Sequence, residues 1–433
     1  MAKTYDTYKD SGIAWIGEIP GEWETSRLKF LINFINGFAF DSNDFSLEKD
    51  IPVIRQSDIS EKINWETTLK VEDDIKLEPY CLKFNDIIIG MSGSIGKLCI
   101  YTSPQKAYIN QRVGIIRSKQ NPFIYYLLQT KGFEEHNKLL SYGTAVLNIS
   151  ASNIGLFKIP FPPLSVQQSI SSFLDTKCGE IDSLISIQEE MISELLAYKQ
   201  SVITEAVTKG LDKKAKMKNS GVEWIGEIPE EWDVQKLRTL GWCQNGISKS
   251  GDYFGEDYEY PFVSYPDAYK NFEVPYPKGR ANSTLEDRQR YSLVQGDVLF
   301  TRTSETIEEI GFASTCTETI PNAVFSGFLI RFRPTSHKIY YGYSKYFFRS
   351  VIHRAFFVKE MNLVTRASLS QDLLKNLPVV LPTIEEQQAI ATYLDEKTSQ
   401  IDSLIALKQS KIESLKEYKK SIIYEYVTGK KRV

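Results

Sequence analysis

"QQSISSFLDTKCGEIDSLI" occupies residues 167–185, and "QQAIATYLDEKTSQIDSLI" returns at 387–405, an offset of 220. The same offset joins "YKQSVITEAVT" from Tyr198 to "YKKSIIYEYVT" from Tyr418. Each stretch follows a proline-rich stop, "IPFPPLSVQQ" or "LPVVLPTIEEQQ", and then runs without proline to about Lys209 or Thr428. Ser165 and Thr383 are candidate N-caps, and Glu386, three residues after Thr383, completes a capping box. Apolar residues recur at three-four spacing. The first copy offers Leu174, Ile181, Leu184, Met191, Leu195, Tyr198 and Val202; the second offers Leu394, Ile401, Leu404, Leu415, Tyr418 and Ile422. A second row, Ile185, Ile192 and Ile203 against Ile405, Ile412 and Ile423, widens the stripe, and Gln188, Lys408 and Lys411 interrupt it. Each stretch reads as one helix of about 44 residues, roughly 65 Å long at ~1.5 Å per residue. So long a helix needs an equal partner to bury its stripe. If an approximate two-fold axis relates the duplicated units, the two helices run antiparallel as an intramolecular coiled coil. A core helix inside each half, or homodimerisation through the stripe, is the alternative.

Working outward, "WIGEIPGEW" at 15–23 returns as "WIGEIPEEW" at 224–232, an offset of 209. The chain is therefore a tandem duplication whose second copy is eleven residues longer between its recurring parts. Trp15 and Trp224 read as packing anchors, and Pro20 and Pro229 as turn formers. The middles, roughly 30–150 and 240–365, resemble each other only faintly. "NDIIIGMSGSIGKLCI" from Asn85 and "GDVLFTRTSETIEEIGFAS" from Gly296 share an Asp, an apolar run and small polar residues. "DIIIG", "KLCIY", "VGIIR", "DVLFT" and "FSGFLIRF" read as strands, while 123–140 and 340–357 read as helical. The expected fold is mixed α/β: two sheet-based globular domains separated by two long antiparallel helices in a pseudo-two-fold arrangement. The boundaries expected are 1–160 for the first domain, 161–210 for the central helix, 211–380 for the second domain and 381–433 for the last helix.

The bulk properties exclude several classes. Over 433 residues, 42% hydrophobic and 25% charged content suit a globular protein rather than a disordered one. The opening "MAKTYDTYKD" lacks a secretory pattern, and no apolar run reaches the ~18 residues of a membrane span, so a soluble, cytoplasmic protein is expected. Five scattered cysteines without a CxxC pair, and three isolated histidines, give no disulfide framework or metal site. Net charge is −3, so any DNA surface must be a local concentration of Lys and Arg.

Taken together, "SGIAWIGEIPGEW" and "SGVEWIGEIPEEW" opening the halves, "PPLSVQQSISSFLD" and "LPTIEEQQAIATYLD" opening the helices, and the duplicated layout resemble the specificity subunits of type I restriction-modification enzymes. The resemblance covers nearly the whole chain. It implies two target-recognition domains held apart by conserved helices, on which two methyltransferase subunits dock and restriction/translocase subunits join. It also implies double-stranded DNA as target, a bipartite sequence with a non-specific gap. S-adenosylmethionine, ATP and magnesium would belong to the partner subunits, with no cofactor bound by this chain.

Base reading needs Arg, Lys, Asn, Gln and Ser/Thr on loops carried by a rigid body. The first segment offers Ser92, Ser94 and Lys97 in "MSGSIGK", Asn110, Gln111 and Arg112 in "NQR", and Thr144 in "YGTA". The second offers Lys278 and Arg280 in "PKGRANS", Arg302, Thr303 and Ser304 in "TRTSE", and Arg366 in "VTRAS". Each is equally a residue type found in solvated turns. Enzymatic readings fare worse. "GMSGSIGKL" (90–98) has Met91 where a phosphate loop needs Gly and Leu98 where it needs Ser/Thr. "FPPL" (161–164) lacks the amide or acid before its prolines and the aromatic after them that an amino-methyltransferase motif carries. Two rivals remain: a self-contained methyltransferase or nuclease, and a coiled-coil adapter that touches no DNA, mildly favoured by a pI near 5.9. If the helices set the spacing between half-sites, adding one turn (~5.4 Å) to both should lengthen the recognised gap by one or two base pairs of ~3.4 Å. Mapping methylated sites with the lengthened protein checks this, and an unchanged gap refutes it.

Overall fold

The computed structural model describes residues 4–60, 63–93, 95–143, 147–249, 251–304, 310–360 and 367–433. Two compact units emerge: Met1–Glu189 with Ser410–Val433, and Glu190–Gln409. Two helices pass through both, Leu164–Lys209 and Ile384–Val427.

In unit 1 a four-stranded antiparallel sheet runs in the order Asn33–Asn36, Val113–Arg117, Ile87–Gly90, Leu98–Ile100. The central strand shows why its sequence is an unbroken apolar run. Ile87 and Ile89 join the core beneath the helices, while Ile88 points the other way into a cluster with Ile54, Ile109 and Ile115. A strand covered on both faces has no polar side to show. Beside it lies a smaller sheet, Lys70–Val71, Ile51–Ile54, Tyr108–Ile109, whose last pair is parallel. Helices Asn121–Leu127 and Lys131–Leu140 then lead towards the long helix.

Unit 2 repeats the plan. Its sheets order as Gly241–Asn245, Leu329–Pro334, Val298–Thr301, Ala313–Thr315 and as Arg280–Ala281, Tyr260–Val263, Val324–Phe325. Its helical patch forms Tyr341–Phe347 and Ile352–Glu360. The aspartate before each central strand is structural. Buried Asp86 pairs with Arg117, and buried Asp297 with Arg333 at 2.6 Å. Each aspartate also accepts from a turn amide, Lys83 N or Val294 N, and each follows a residue at positive φ, Asn85 (67°) or Gly296 (92°).

The helix segments run antiparallel within each unit. In unit 1 Lys419 meets Asp182 at 2.6 Å, and Phe173 packs on Tyr426 with ring centroids 4.4 Å apart. In unit 2 Lys199 meets Asp402 at 2.7 Å, while Val202, Ile203 and Val207 share a core with Ile390 and Leu394. Of the expected seam, Leu174, Ile181, Val202, Leu394, Ile401, Leu415 and Ile422 are buried and Leu195 is half-buried. Leu184, Met191, Tyr198, Leu404 and Tyr418 are instead exposed. The shielded row steps 4-3-4-3 through Ile181, Ile185, Gln188, Ile192, Leu195, Lys199 and Val202, and likewise through Ile401, Ile405, Lys408, Ile412, Leu415, Lys419 and Ile422. That is a seven-residue repeat, which the exposed residues miss by one position. Lys199 and Lys419 lay their aliphatic stems along the seam and extend their ammonium groups to the facing Asp402 and Asp182. The capping box Thr383–Glu386 forms, with Glu386 N donating to Thr383 Oγ1 at 3.2 Å and Thr383 N donating to Glu386 Oε2 at 3.1 Å. Ser165 is not a cap. The first helix begins at Leu164, and the Pro163 carbonyl accepts from Val166 N and Gln167 N at 2.9 and 3.0 Å.

The repeated nonapeptide is the seat for a helix end. Gly429, at φ +73°, follows the second helix so closely against the first phrase that a Cβ would lie 2.3 Å from Pro20. Gly210, at φ +74°, ends the first helix against Trp232 of the second phrase, where a Cβ would lie 3.0 Å from the indole ring. Only glycine ends a helix in this left-handed geometry at such range. Trp23 and Trp232 are the fully buried members. Half-buried Trp15 stacks on Phe157 at 5.5 Å, and Trp224 lies against Phe356 at 6.0 Å, both as packing anchors. Pro20 and Pro229 accept from Trp23 N and Trp232 N across the turn.

His353, wholly buried in the unit 2 core, has its pKa pushed down to about 3 by burial, and its Nε2 lies 2.9 Å from Phe347 O. Below pH ~6.5 the unfolded chain binds a proton that the folded chain refuses until about pH 3, so stability falls as pH drops through that window. The loss between pH 7 and 5 should be about 2 kcal/mol, and His353→Leu should flatten it. Urea denaturation at both pH values measures the difference in slope.

Candidate nucleic-acid interface

One edge of the unit 1 sheet gathers four segments that are distant in sequence. Gly37 donates to Val113 O and Phe38 N to Ile109 O, placing this loop beside the 110–112 turn. A Cβ on Gly37 would stand 2.1 Å from Asn110 O, so only glycine allows the approach. Met91 N donates to Arg112 O at 3.0 Å, which fixes the strand exit against the same turn. Gly93 N donates to Leu147 O at 2.8 Å, and Ser92 and Tyr142 both bridge to Asn148.

Unit 2 builds the same edge from other residues. Gly246 would place a Cβ 2.1 Å from Ser326 O, and Ile247 bridges Ser326 as Phe38 bridges Asn110. Arg302 N donates to Phe328 O at 2.9 Å, and Thr303–Ser304 pairs with Ala367–Ser368. The turn equivalent to Asn110-Gln111-Arg112 is therefore Ser326-Gly327-Phe328. The frame is kept while its tip is rewritten.

Among the sequence candidates, Gln111 and Arg112 are exposed at this turn. Asn110 is half-buried, its Oδ1 accepting from Gln111 N at 2.7 Å. Ser92 is buried in the bridge, which removes its hydroxyl from the surface. Lys97 is exposed but lines a cavity against the long helices. Arg302 and Thr303 are half-buried on the unit 2 edge, and Arg302 reaches Gly327 O at 3.5 Å. Arg280 sits elsewhere, on the outer strand of the smaller sheet, and donates to Pro277 O at 2.7 Å and Gly279 O at 3.2 Å. Lys278 beside it is exposed. Ser94, Thr144 and Arg366, and the side chain of Ser304, lie outside the described residues. Sequence reasoning missed the exposed aromatics on these edges: Phe38, Tyr142 and, foremost, Phe328 at 61% exposure. The pair "NG" at 36–37 and 245–246, repeated at the 209 offset, was the available signal.

Among the described residues no group of three His, Cys, Asp or Glu is placed to hold a metal. Burial pushes the Cys178 thiol up to about 11 and that of Cys99 to about 12, away from nucleophilic thiolate. Among the described residues no helix is long and apolar enough to cross a membrane.

The type I restriction modification DNA specificity domain matches this chain twice, over 20–196 and 229–417. The chain belongs to that family. Among specificity subunits, that of the type I restriction enzyme EcoBI from Escherichia coli is 27% identical, over 89% of this chain and 81% of the relative. That of MjaVIII from Methanocaldococcus jannaschii is 26% identical, over 96% and 94%. A chain solved in work on complex assembly and conformational transition of the type I R-M system shares the fold, with TM-score 0.69 and 15% identity over 95% of this chain and 99% of that one. In family terms each edge belongs to one recognition domain.

An exposed amide and guanidinium on a fixed turn suit base edges, where a good bidentate contact is worth about 1–3 kcal/mol. Gln111→Ala with Arg112→Ala should therefore weaken binding to one half-site by roughly ten- to a hundred-fold and leave discrimination at the other unchanged. Competition binding of the assembled complex to DNAs altered in either half-site measures this.

Proposed function

We propose that this chain is the DNA-specificity subunit of a type I restriction-modification complex and reads a bipartite, asymmetric target. One half-site falls to the domain in 1–160 and the other to that in 211–380, with the helices of 161–210 and 381–433 as scaffold. The observation that carries this reading is the pair of equivalent edges, where Asn110-Gln111-Arg112 is replaced by Ser326-Gly327-Phe328 on an unchanged backbone plan. Two copies of one frame with two different tips serve a target of two unlike parts.

Docking of two identical methyltransferase subunits is supported by the outer faces of the helices. Leu184 and Leu404 are each 47% exposed, and Tyr198 and Tyr418 are 57% and 56% exposed. These are duplicate positions at the 220 offset, so the same apolar feature is offered twice. Restriction/translocase subunits complete the assembly on double-stranded DNA. In this reading the chain is not itself catalytic; S-adenosylmethionine, ATP and magnesium serve the partner subunits, and the complex works in the cytoplasm.

Replacing residues 240–365 with the equivalent segment of another family member should change one half of the methylated sequence and leave the other intact. Genome-wide mapping of methylated positions reads this directly; a change in both halves would falsify the modular reading.

A further inference from the structure

Gly96 of unit 1 and Gly311 of unit 2 occupy the same turn. They sit at φ +76° and +67°, and each donates its N–H at 3.0 Å across the sheet, to Gly90 O and Thr301 O respectively. Each faces one residue of the helix beyond: a Cβ on Gly311 would lie 2.6 Å from the Phe357 ring, and one on Gly96 2.7 Å from Nδ2 of Asn137. Asn137 and Phe357 are duplicate positions at the 220 offset.

In unit 2 this place is filled. Phe357 is buried, the Arg349 and Arg354 guanidinium groups lie over Phe312 at 4.6 and 5.1 Å, and Arg349 is further held by the carbonyls of Ala268, Tyr269 and Ala313. The unit 1 counterparts of Phe312, Arg349, Arg354 and Phe357 are Lys97, Gln129, Glu134 and Asn137, and a cavity of about 1440 Å³ opens among them. Asn137 is 3% exposed, yet neither its Nδ2 nor its Oδ1 has a partner among the described residues. Leaving a buried amide unpaired is costly, and a carboxamide asks for one donor and one acceptor side by side. Leu98, Leu128, Phe133 and Ile423 add apolar lining. Lys419 and Lys420 at the rim are already paired with Asp182 and Glu417, and Glu134 faces the same space, so the lining holds little field for a phosphate.

We propose that this cavity receives a segment of a partner polypeptide: an apolar residue whose adjoining peptide or carboxamide group pairs with Asn137. In unit 2 the described residues Phe312, Arg349, Arg354 and Phe357 occupy the equivalent place, so the two docking sites of the duplicated frame are unequal. The inference rests on the function proposed above, in which modification (methyltransferase) subunits dock on the helices, and it identifies them as the occupant.

The test is titration of the full-length chain with its purified modification subunit, comparing wild type with Asn137→Phe, which installs the unit 2 plug. Affinity at one of the two sites should fall at least tenfold while the other site is unchanged and the melting temperature of the free chain is kept or raised. Wild-type affinity at both sites would overturn the proposal. A second arm needs no change at the cavity floor: a benzophenone amino acid at Lys97 in the assembled complex should crosslink to the modification subunit. Crosslinking to DNA, or to nothing, refutes the polypeptide occupant even if Asn137→Phe fails to fold. Absence of any binding by the wild-type chain counts against the function itself and takes this inference with it.

Discussion

A heptad seam interrupted by lysine is weaker than an all-apolar one, and here two of the seam lysines each find an aspartate on the facing helix. Lys199 with Asp402 and Lys419 with Asp182 are the same pair written twice. Both are partly exposed, so each contributes little energy by itself, of the order of 1 kcal/mol or less. Their effect is on register. A lysine slid one turn along would meet no partner, and the apolar rows beside it would lose their match. Everything else in a unit is placed relative to that pairing: the hairpin that seats the helix end, the sheet above it and the tips of that sheet.

The docking of sheet to helix is also repeated, with variation in detail. Tyr126 donates to Asp175 at 2.7 Å in unit 1, and Tyr346 to Asp395 at 2.8 Å in unit 2, where Lys345 joins in at 2.6 Å. Gln167 and Gln387 both donate from within the long helices to the proline carbonyl that precedes them. Apart from Lys345, which stands where unit 1 has Tyr125, these contacts use side chains identical in the two copies. Where they differ, as between Asn137 and Phe357, the interior differs too.

This division explains what was legible in the sequence. The long helices, their antiparallel pairing and the strands around Asp86 and Asp297 could be read because periodicity and repetition report backbone structure directly. The seam was harder. Leu184, Met191 and Tyr198 follow a plausible three-four row, yet supercoiling selects the row through Ile185, Gln188 and Ile192 despite its polar member. The two sheet edges proposed to read DNA were legible only in part. Gln111, Arg112 and Arg302 reach them, whereas Arg280 spends its guanidinium on the carbonyls of its own turn. Nothing in residue type separates those cases; loop geometry does.

The seating of helix ends has a consequence for how the molecule is strung together. In unit 2 the first helix passes to its hairpin along the chain, through 210–217. In unit 1 the second helix reaches an equivalent hairpin purely through space, with Lys430 Nζ bonding Glu18 O at 2.6 Å and Tyr8 Oη bonding Gly429 O at 3.2 Å. Covalent continuity is thus optional at that joint, since one unit manages without it. Two separate half-length polypeptides carrying one phrase, one middle and one helix apiece would still hold both helix ends and both of their seats.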